Sequence, residues 1–371
     1  MPQEANDSYG LAPESTRAEV PAPDLPYAPL DPARYRPRIG LVGCGGIAVQ
    51  HLRAYSAAGY DVAVLCDRSP QKAVALRDRF YPGAEVCEDW RTLLRRGDIG
   101  VLDLAAHPEQ RMEMFAPAIE AGKHILSQKP FVTDLDAGLA VAEMAEKRGV
   151  RIAVNQNGRW APHWSWMRHA VTAGLVGDVT SVRAAVDWDH TWIKGSVFEE
   201  VPFLVLYDFG IHWFDIVSCF LSGRRARSVY ASVARAPDQE VKPPLLSQVL
   251  MEYEGAQASL SFDASARFGE QARTYIAGTR GSVGSDGPSL NEQQVTLATA
   301  GGRARPSLVG AWFPDGFHGS MGELLRAVEE KREPENGARD NLESLALCFA
   351  ALASARRREA VRPWTVRKLP E

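Results

Sequence analysis

Asp208, His212 and Asp215 stand at i, i+4 and i+7 in the run DFGIHWFD. On an α-helix that spacing puts all three on one face, with Phe209, Trp213 and Ile216 to the side. A carboxylate one turn before an imidazole can orient the ring and stabilise its charged form. Histidine is also the side chain best suited to moving a proton near neutral pH. The same fragment equally reads as a capping aspartate beside a buried, hydrogen-bonded histidine. A second group, Ser127-Gln128-Lys129-Pro130, ends an apolar run that reads as a strand. Parallel α/β sheets hold their ligands at the carboxyl ends of strands, so Lys129 would project into that crevice. Pro130 would fix the direction in which the chain leaves. A surface lysine at a strand end is the plain alternative.

A nucleotide site is written further upstream. Gly43-Cys44-Gly45-Gly46-Ile47-Ala48 forms a GxGxxA loop between an apolar strand and a helical pattern. Gly43 permits the tight turn, Gly45 lets the backbone approach a pyrophosphate, and Ala48 is small enough for the helix to pack on the sheet. Gly46 and Ile47 complete the loop, where unpaired N–H groups and the helix dipole favour phosphate. Asp67 ends the next strand, where a carboxylate accepts from ribose hydroxyls and repels a 2′-phosphate. This points to NAD. Arg68 beside it keeps NADP open, since it could pair with a 2′-phosphate, stack on adenine or simply sit exposed.

The elements that must position these residues change character midway along the chain. Strands are expected at Ile39–Val42, Val62–Cys66, Val101–Ala105, His124–Leu126 and Ile152–Val154, alternating with helices at Ile47–Ala58, Pro70–Phe80, Pro108–Ala121 and Asp134–Arg148. Such alternation predicts a doubly wound parallel sheet. After Asn155 come helices at Pro162–Ala173 and Asp208–Leu221 and strands at Val179–His190, Ser228–Ala234, Ser247–Tyr253, Gln257–Phe262 and Ala272–Ile276. Helices at Ser320–Lys331 and Arg339–Arg357 close the chain. Successive strands without helices between them predict an open, mainly antiparallel sheet. The fold class is therefore α/β, a Rossmann domain over 37–154 plus a C-terminal α+β domain over 155–371, whose last helix could pack back on the first. Residues 1–36 are rich in Pro, Ala and acidic groups and read as a disordered arm. The other reading is a strap across the surface, anchored by Tyr27, Leu30 and Tyr35.

The bulk numbers remove several functions. A 371-residue chain with 45% hydrophobic and 24% charged residues suits two globular domains, and a net charge of −4 gives no bulk attraction to nucleic acid or anionic membrane. Arg356, Arg357 and Arg358 read as the solvated end of a helix. The cysteines (Cys44, Cys66, Cys87, Cys219 and Cys348) form no CxxC pair and lie at no zinc-finger spacing from a histidine, so no metal is expected. Scattered free cysteines suit a reducing compartment. The N-terminus shows no charged patch followed by an apolar run, and no stretch reaches membrane-spanning length. The expectation is a cytoplasmic protein.

Taken together, residues 37–361 resemble the Gfo/Idh/MocA oxidoreductases, the group of glucose–fructose oxidoreductase and inositol dehydrogenase. The resemblance rests on the Gly43–Ala48 loop, on Ala121-Gly122-Lys123-His124 leading into Lys129-Pro130, on Asp208, His212 and Asp215, and on the late helix Asp340-Asn341-Leu342 to Ser354. It implies Lys129, Asp208 and His212 as a catalytic trio, Gln128 beside the cofactor, and an open sheet used for assembly into a homodimer or homotetramer. Two departures stand out. The family usually has Glu where this chain has Gln128, which should leave Lys129 with less help in keeping its proton. It often has His where this chain has Arg111.

The implied reaction is reversible oxidation of a secondary alcohol on a sugar, sugar derivative or cyclitol. His212 would take the hydroxyl proton, Lys129 would polarise the same oxygen and Asp208 would orient the pair, with the hydride passing to nicotinamide. The acidic limb of the rate should then lie within about a unit of ~6.5. Asn155, Asn157, Arg159 and Trp160 fall at the domain join, and Trp188, Asp189, His190 and Trp192 offer apolar faces with polar tips. With Asp215 they are candidate substrate residues, and each also reads as packing. Two other functions fit the same pattern: a redox-neutral lyase or glycosidase holding NAD tightly, and a catalytically silent sugar- or nucleotide-sensing regulator. The intact trio argues against the regulator.

Overall fold

The computed structural model describes residues 18–370. The first part of the expected arm, residues 1–17, lies outside the described residues. The first half runs β1 (Arg38–Val42), α1 (Ala48–Ala58), β2 (Val62–Cys66), α2 (Pro70–Phe80), β3 (Glu85–Cys87), α3 (Arg91–Leu94), β4 (Ile99–Leu104), α4 (Pro108–Glu120), β5 (His124–Ser127), α5 (Leu135–Arg148) and β6 (Ile152–Val154). The six strands form a parallel sheet in the order β3-β2-β1-β4-β5-β6. Helices cover both faces, so every residue of β2 (Val-Ala-Val-Leu-Cys) is buried. Start and stop signals are local. The Asp134 side chain accepts from the N–H groups of Asp136 and Ala137 at the start of α5, and Gly149 turns left-handed at its end. Strand β3 carries no sequence signal because it is three residues long and lies at the sheet edge.

The second half runs α6 (Pro162–Thr172), β7 (Val179–Asp187), α7 (Ile211–Phe220), β8 (Ser228–Ala234), β9 (Leu246–Tyr253), β10 (Ala256–Asp263), β11 (Gln271–Gly278), β12 (Gly281–Ser289), β13 (Glu292–Thr299), β14 (Gly302–Ala304), α8 (Trp312–Glu329) and α9 (Ala338–Arg357). Its eight strands are ordered β14-β13-β12-β11-β7-β10-β9-β8. Only β7 and β10 run parallel; every other neighbouring pair is antiparallel. Helices α6, α7 and α9 pack against this sheet. Strand β9 alternates buried and exposed residues, and Tyr230, Leu250 and Tyr275 are exposed, the signature of a sheet with one uncovered face. Strands β12 to β14 extend the sheet beyond the sequence expectation, since a segment such as GSVGSDGPS has almost no β-branched or aromatic residue to signal a strand.

The two halves share helices. Helix α8 packs on α1, and α9 lies against α5 as well as β8 and α7. Residues 18–36 cross this junction without helix or strand, apart from one isolated bridge between Glu19 and Arg303. Val20 N–H donates to the Arg303 carbonyl at 2.8 Å, and the Tyr27 hydroxyl accepts from Val309 N–H at 3.0 Å. Asp31 accepts from the Tyr60 hydroxyl at 2.5 Å, and Arg34 N–H donates to Glu329 at 3.0 Å. Tyr35 meets the ring of His124 edge-on, while the Leu30 residue stays 47% exposed. Among the described residues no helix is long and apolar enough to cross a membrane.

Candidate active site

The glycine loop leaves β1 and enters α1 at the point where strand order reverses, between β1 and β4. Gly43 has φ +98°, and a Cβ there would lie 2.8 Å from the Ala106 nitrogen, so no other residue fits this turn. Cβ atoms on Gly45 and Gly46 would meet nothing within 4 Å, and both residues are exposed. The space above them is open, and no side chain caps the start of α1 at Ile47. An uncapped helix N-terminus under an open glycine cradle fits a dinucleotide pyrophosphate. Ala48 is buried against the sheet. Asp67 follows β2; its carboxylate accepts from Cys44 N–H at 2.7 Å and Ser69 N–H at 2.8 Å, so it also fixes the shape of the loop. Arg68 is exposed beside it.

Strand β5 delivers Gln128 and Lys129, and the Lys129–Pro130 peptide is cis. Arg111, on α4, is wholly buried beneath this turn. Its guanidinium donates to the carbonyls of Ala106 (3.0 Å), Pro130 and Phe131 (3.4 Å). Arg111 therefore clamps the backbone that carries Lys129. Burial lowers its pKa to about 9.

Lys129 Nζ donates to the carbonyl of Asp208 at 2.8 Å and to its Oδ1 at 3.0 Å. Of the pair that Asp208 was expected to orient, it holds Lys129, and no hydrogen bond joins it to His212. Residues Val205–Phe209 form a π-helical turn, closed by Gly210 N–H to the Val205 carbonyl at 2.7 Å, before α7 begins at Ile211. A Cβ on Gly210 would stand 2.8–2.9 Å from the carbonyl oxygens of Leu206 and Val205. The extra residue in the turn takes Asp208 off the stripe that a continuous α-helix would share with His212. The carboxylate that supports Lys129 thus comes from Asp208, 79 residues away, and not from position 128.

His212 is 7% exposed, and its Nδ1 is buried without a partner. The ring meets Trp312 edge-on, with centroids 5.3 Å apart. Burial first, and then the Lys129 cation, push its pKa well below the usual histidine value. If His212 is the base, the acidic limb is accordingly expected below ~6.5.

The other candidates separate into two groups. Trp188 and His190 gather near the Lys129–Asp208 pair, whose charges both act on His190. His190 Nδ1 accepts from the indole N–H of Trp188 (3.0 Å) and of Trp192 (3.2 Å), and Phe209 stacks on Trp188 with centroids 4.1 Å apart. Trp192 is 61% exposed. Asp189 is occupied by the backbone N–H and hydroxyl of Thr191. The second group is structural. Arg159 Nε and Nη2 bind the two oxygens of Asp215 at 2.7 and 2.6 Å, and Nη2 also meets Asp340 at 2.5 Å. Arg159 and Asp215 are buried and committed to each other. Trp160 is buried against Gly319 of α8. Asn157 accepts from the Trp312 indole at 2.9 Å and so holds the ring that backs His212.

Sequence reasoning missed His51 and Tyr55 on α1 and Asp103 on β4, a buried group next to Lys129; Asn155, expected at the domain join as a substrate candidate, instead turns its amide to His51. A signal existed. Asp103 stands alone in the apolar run Val-Leu-Asp-Leu, and an aspartate there needs buried donors.

Comparison with known proteins matches both halves. The model for the oxidoreductase family with NAD-binding Rossmann fold, Gfo/Idh/MocA, covers residues 37–156, and that for the Gfo/Idh/MocA C-terminal domain covers 164–284. The chain is 25% identical over 331 residues to inositol 2-dehydrogenase of Rhizobium meliloti, spanning 85% of this chain and 96% of that protein. It is 27% identical over 344 residues to D-apiose dehydrogenase of Paraburkholderia graminis, spanning 85% and 87%. In fold it resembles an Agrobacterium radiobacter oxidoreductase crystallised with NAD+, L-tartaric acid and magnesium (TM-score 0.78, 20% identity, 88% and 98% coverage). It also resembles scyllo-inositol dehydrogenase of Lactobacillus casei with NAD(H) and scyllo-inositol (TM-score 0.74, 19% identity, 88% and 98% coverage).

Proposed function

The chain belongs to the Gfo/Idh/MocA family of NAD-binding oxidoreductases, and from that premise we propose that it interconverts a secondary alcohol and a ketone on a sugar, sugar derivative or cyclitol. The observation that carries this reading is the Lys129 ammonium, tethered to Asp208 and acting electrostatically on a buried, uncharged His212. The names of the relatives above, inositol and apiose dehydrogenases, support a polyol substrate.

The bound dinucleotide supplies the hydride acceptor or donor; the residues handle everything else. An ammonium has three N–H donors. Two of those on Lys129 are used by Asp208, which leaves one for the substrate oxygen. His212 Nε2 receives the hydroxyl proton, and the ring's own hydrogen stays on Nδ1. A neutral imidazole beside a fixed cation is a base that loses nothing to prior protonation. His190 takes a different part. With two indole N–H groups directed at its Nδ1, its hydrogen is on Nε2, so it serves as a donor to a second substrate hydroxyl. Trp188 and Trp192 offer ring faces to the C–H side of a sugar.

NAD is the favoured cofactor. Asp67 keeps lone pairs for ribose hydroxyls after serving Cys44 and Ser69, and a 2′-phosphate would bring an anion against it. The open face bearing Tyr230, Leu250 and Tyr275 supports self-association as a homodimer or homotetramer.

The test is a panel of cyclitols, aldoses, branched sugars and nucleotide sugars, each with NAD and with NADP, followed by absorbance of the reduced cofactor. Net reduction on a polyol supports the proposal. Substrate consumption without net reduction assigns the redox-neutral reaction instead, and cofactor binding with no turnover on any polyol assigns the regulator.

A further inference from the structure

The buried group behind Lys129 is connected, atom by atom, to the lysine itself. Asp103 Oδ2 accepts from the Tyr55 hydroxyl at 2.7 Å and lies 2.7 Å from His51 Nδ1. On the far side of the ring, His51 Nε2 faces the amide nitrogens of Gln128 (3.1 Å) and Asn155 (3.2 Å). The other end of the Gln128 amide, Oε1, accepts from the backbone N–H of Lys129 at 2.7 Å. His51, Tyr55, Asp103 and Asn155 have no exposure at all, and Gln128 has 6%.

Donor arithmetic orders this chain. The Lys129 N–H needs an acceptor, so the oxygen of the Gln128 amide faces it and the nitrogen faces His51. His51 Nε2 is therefore an acceptor, and the ring hydrogen sits on Nδ1, directed at the Asp103 carboxylate. Helix α1 contributes His51 and Tyr55, strand β4 contributes Asp103, and Gln128 and Asn155 directly follow β5 and β6, so the group pins the exit of β5 to the rest of the sheet. A glutamate at 128 would present only acceptors to His51 unless one of the two took up a proton. The glutamine satisfies both neighbours with no further proton.

We propose that His51 is a positioning residue for the reaction centre: anchored on Asp103 and Tyr55, it fixes the Gln128 amide that holds the Lys129 backbone N–H. Through that bond it aims the ammonium at Asp208. The role in turnover rests on the reading of Lys129 given above; the role in positioning does not.

The test therefore has two arms. In the cofactor-free protein, hydrogen exchange at the Lys129 amide is measured for wild type, His51→Leu, His51→Gln and Gln128→Leu. Removing one net hydrogen bond should speed exchange about tenfold in both leucine variants. His51→Gln, which keeps one donor and one acceptor, should restore most of the protection. If His51→Leu does not fold, Gln128→Leu and His51→Gln decide. Unchanged exchange at Lys129 in the folded leucine variants overturns the proposal. In the second arm, with an accepted polyol, kcat should fall on the order of 10–100-fold. The Kd for the dinucleotide should stay within about twofold, and His51→Gln should recover kcat. Faster exchange with undiminished kcat overturns the catalytic importance of the positioning. If wild type turns over no polyol, the reading of the site fails, while the exchange arm still decides whether His51 holds Lys129.

Discussion

Asp208 holds Lys129 twice, by its main-chain carbonyl at 2.8 Å and by its carboxylate Oδ1 at 3.0 Å. The two bonds share one ammonium, so the lysine is fixed in direction. Lys129 follows β5 of the parallel sheet, and Asp208 lies in the π-turn that enters α7. The contact therefore joins the parallel-sheet half of the chain to the second half, and the site's geometry depends on how the halves dock.

Replacing either partner separates binding from chemistry. Lys129→Ala should lower kcat on the order of 10²–10³, the loss expected for one donor to the reacting oxygen. The dinucleotide Kd should stay within about threefold, because the lysine is assigned to substrate and not to phosphate. Asp208→Asn keeps the carbonyl bond and should cost less, about 10–100-fold. Steady-state kinetics beside a fluorescence titration of the cofactor checks both; equal loss of turnover and cofactor affinity would reassign Lys129 to the nucleotide.

As the proposed base, His212 should control the acid side of the rate. Burial and the Lys129 cation lower its folded pKa well below 6.5, so the ring stays unprotonated and able to accept a proton as pH falls through 6.5. Oxidation should remain level there and decline only at distinctly lower pH. His212→Ala should reduce kcat/KM on the order of 10²–10⁴. A limb centred near ~6.5 that persists in His212→Ala would give the base to another group.

Asp67→Ala removes a ribose acceptor and also frees the Cys44 and Ser69 N–H groups. NAD affinity should fall on the order of 10–100-fold, the value of one or two charge-assisted hydrogen bonds. The gap between NAD and NADP should narrow as the like-charge repulsion disappears. Isothermal titration with both cofactors measures this, and a wild type that already prefers NADP would move attention to Arg68.

Stability should be lost in mild acid. Burial lowers His124 to about 4 and His163 to about 3. In the unfolded chain both titrate near ~6.5, so below that pH the unfolded state binds more protons and gains ground. The stabilisation is complete above pH ~6.5 and drains as pH falls towards the folded values. Each ring contributes a slope of up to about 1.4 kcal/mol per pH unit. Urea midpoints at pH 7.0 and 5.5 should therefore differ, and His163→Gln should reduce the difference. A midpoint independent of pH over this interval would contradict the burial of these rings.

Much of this molecule is legible in the chain because its signals are local. The Asp134 cap, the Gly149 stop and the turn at Gly43 each depend on the φ, ψ and side-chain reach of one or two residues. The alternation of apolar runs with helical spacing fixes a parallel sheet first and an antiparallel one after it, because burial on two faces or on one leaves different periods. Strand β12 escaped that reading because it is glycine-rich and polar, β14 because it is three residues long, and β13 because its alternation is confined to Val295 and Leu297; all three form by pairing along one edge of the sheet.

Partner choice was decided only in three dimensions. The sequence brings Asp208 and His212 one turn apart, yet a single extra residue in the Val205–Phe209 turn gives the carboxylate to Lys129. Arg159 and Asp215 have the residue types of a substrate site, and packing seals them together with Asp340 at their border. His51, Asp103 and Gln128 come from three separate elements and meet only when α1 closes on the sheet. Leaving a buried polar atom unpaired is costly, so most take a partner from whatever the fold brings within about 3 Å. The sequence determined which elements form and which residues could do chemistry; that competition for partners, settled in the packed interior, determined which of them face the crevice and which hold it in shape.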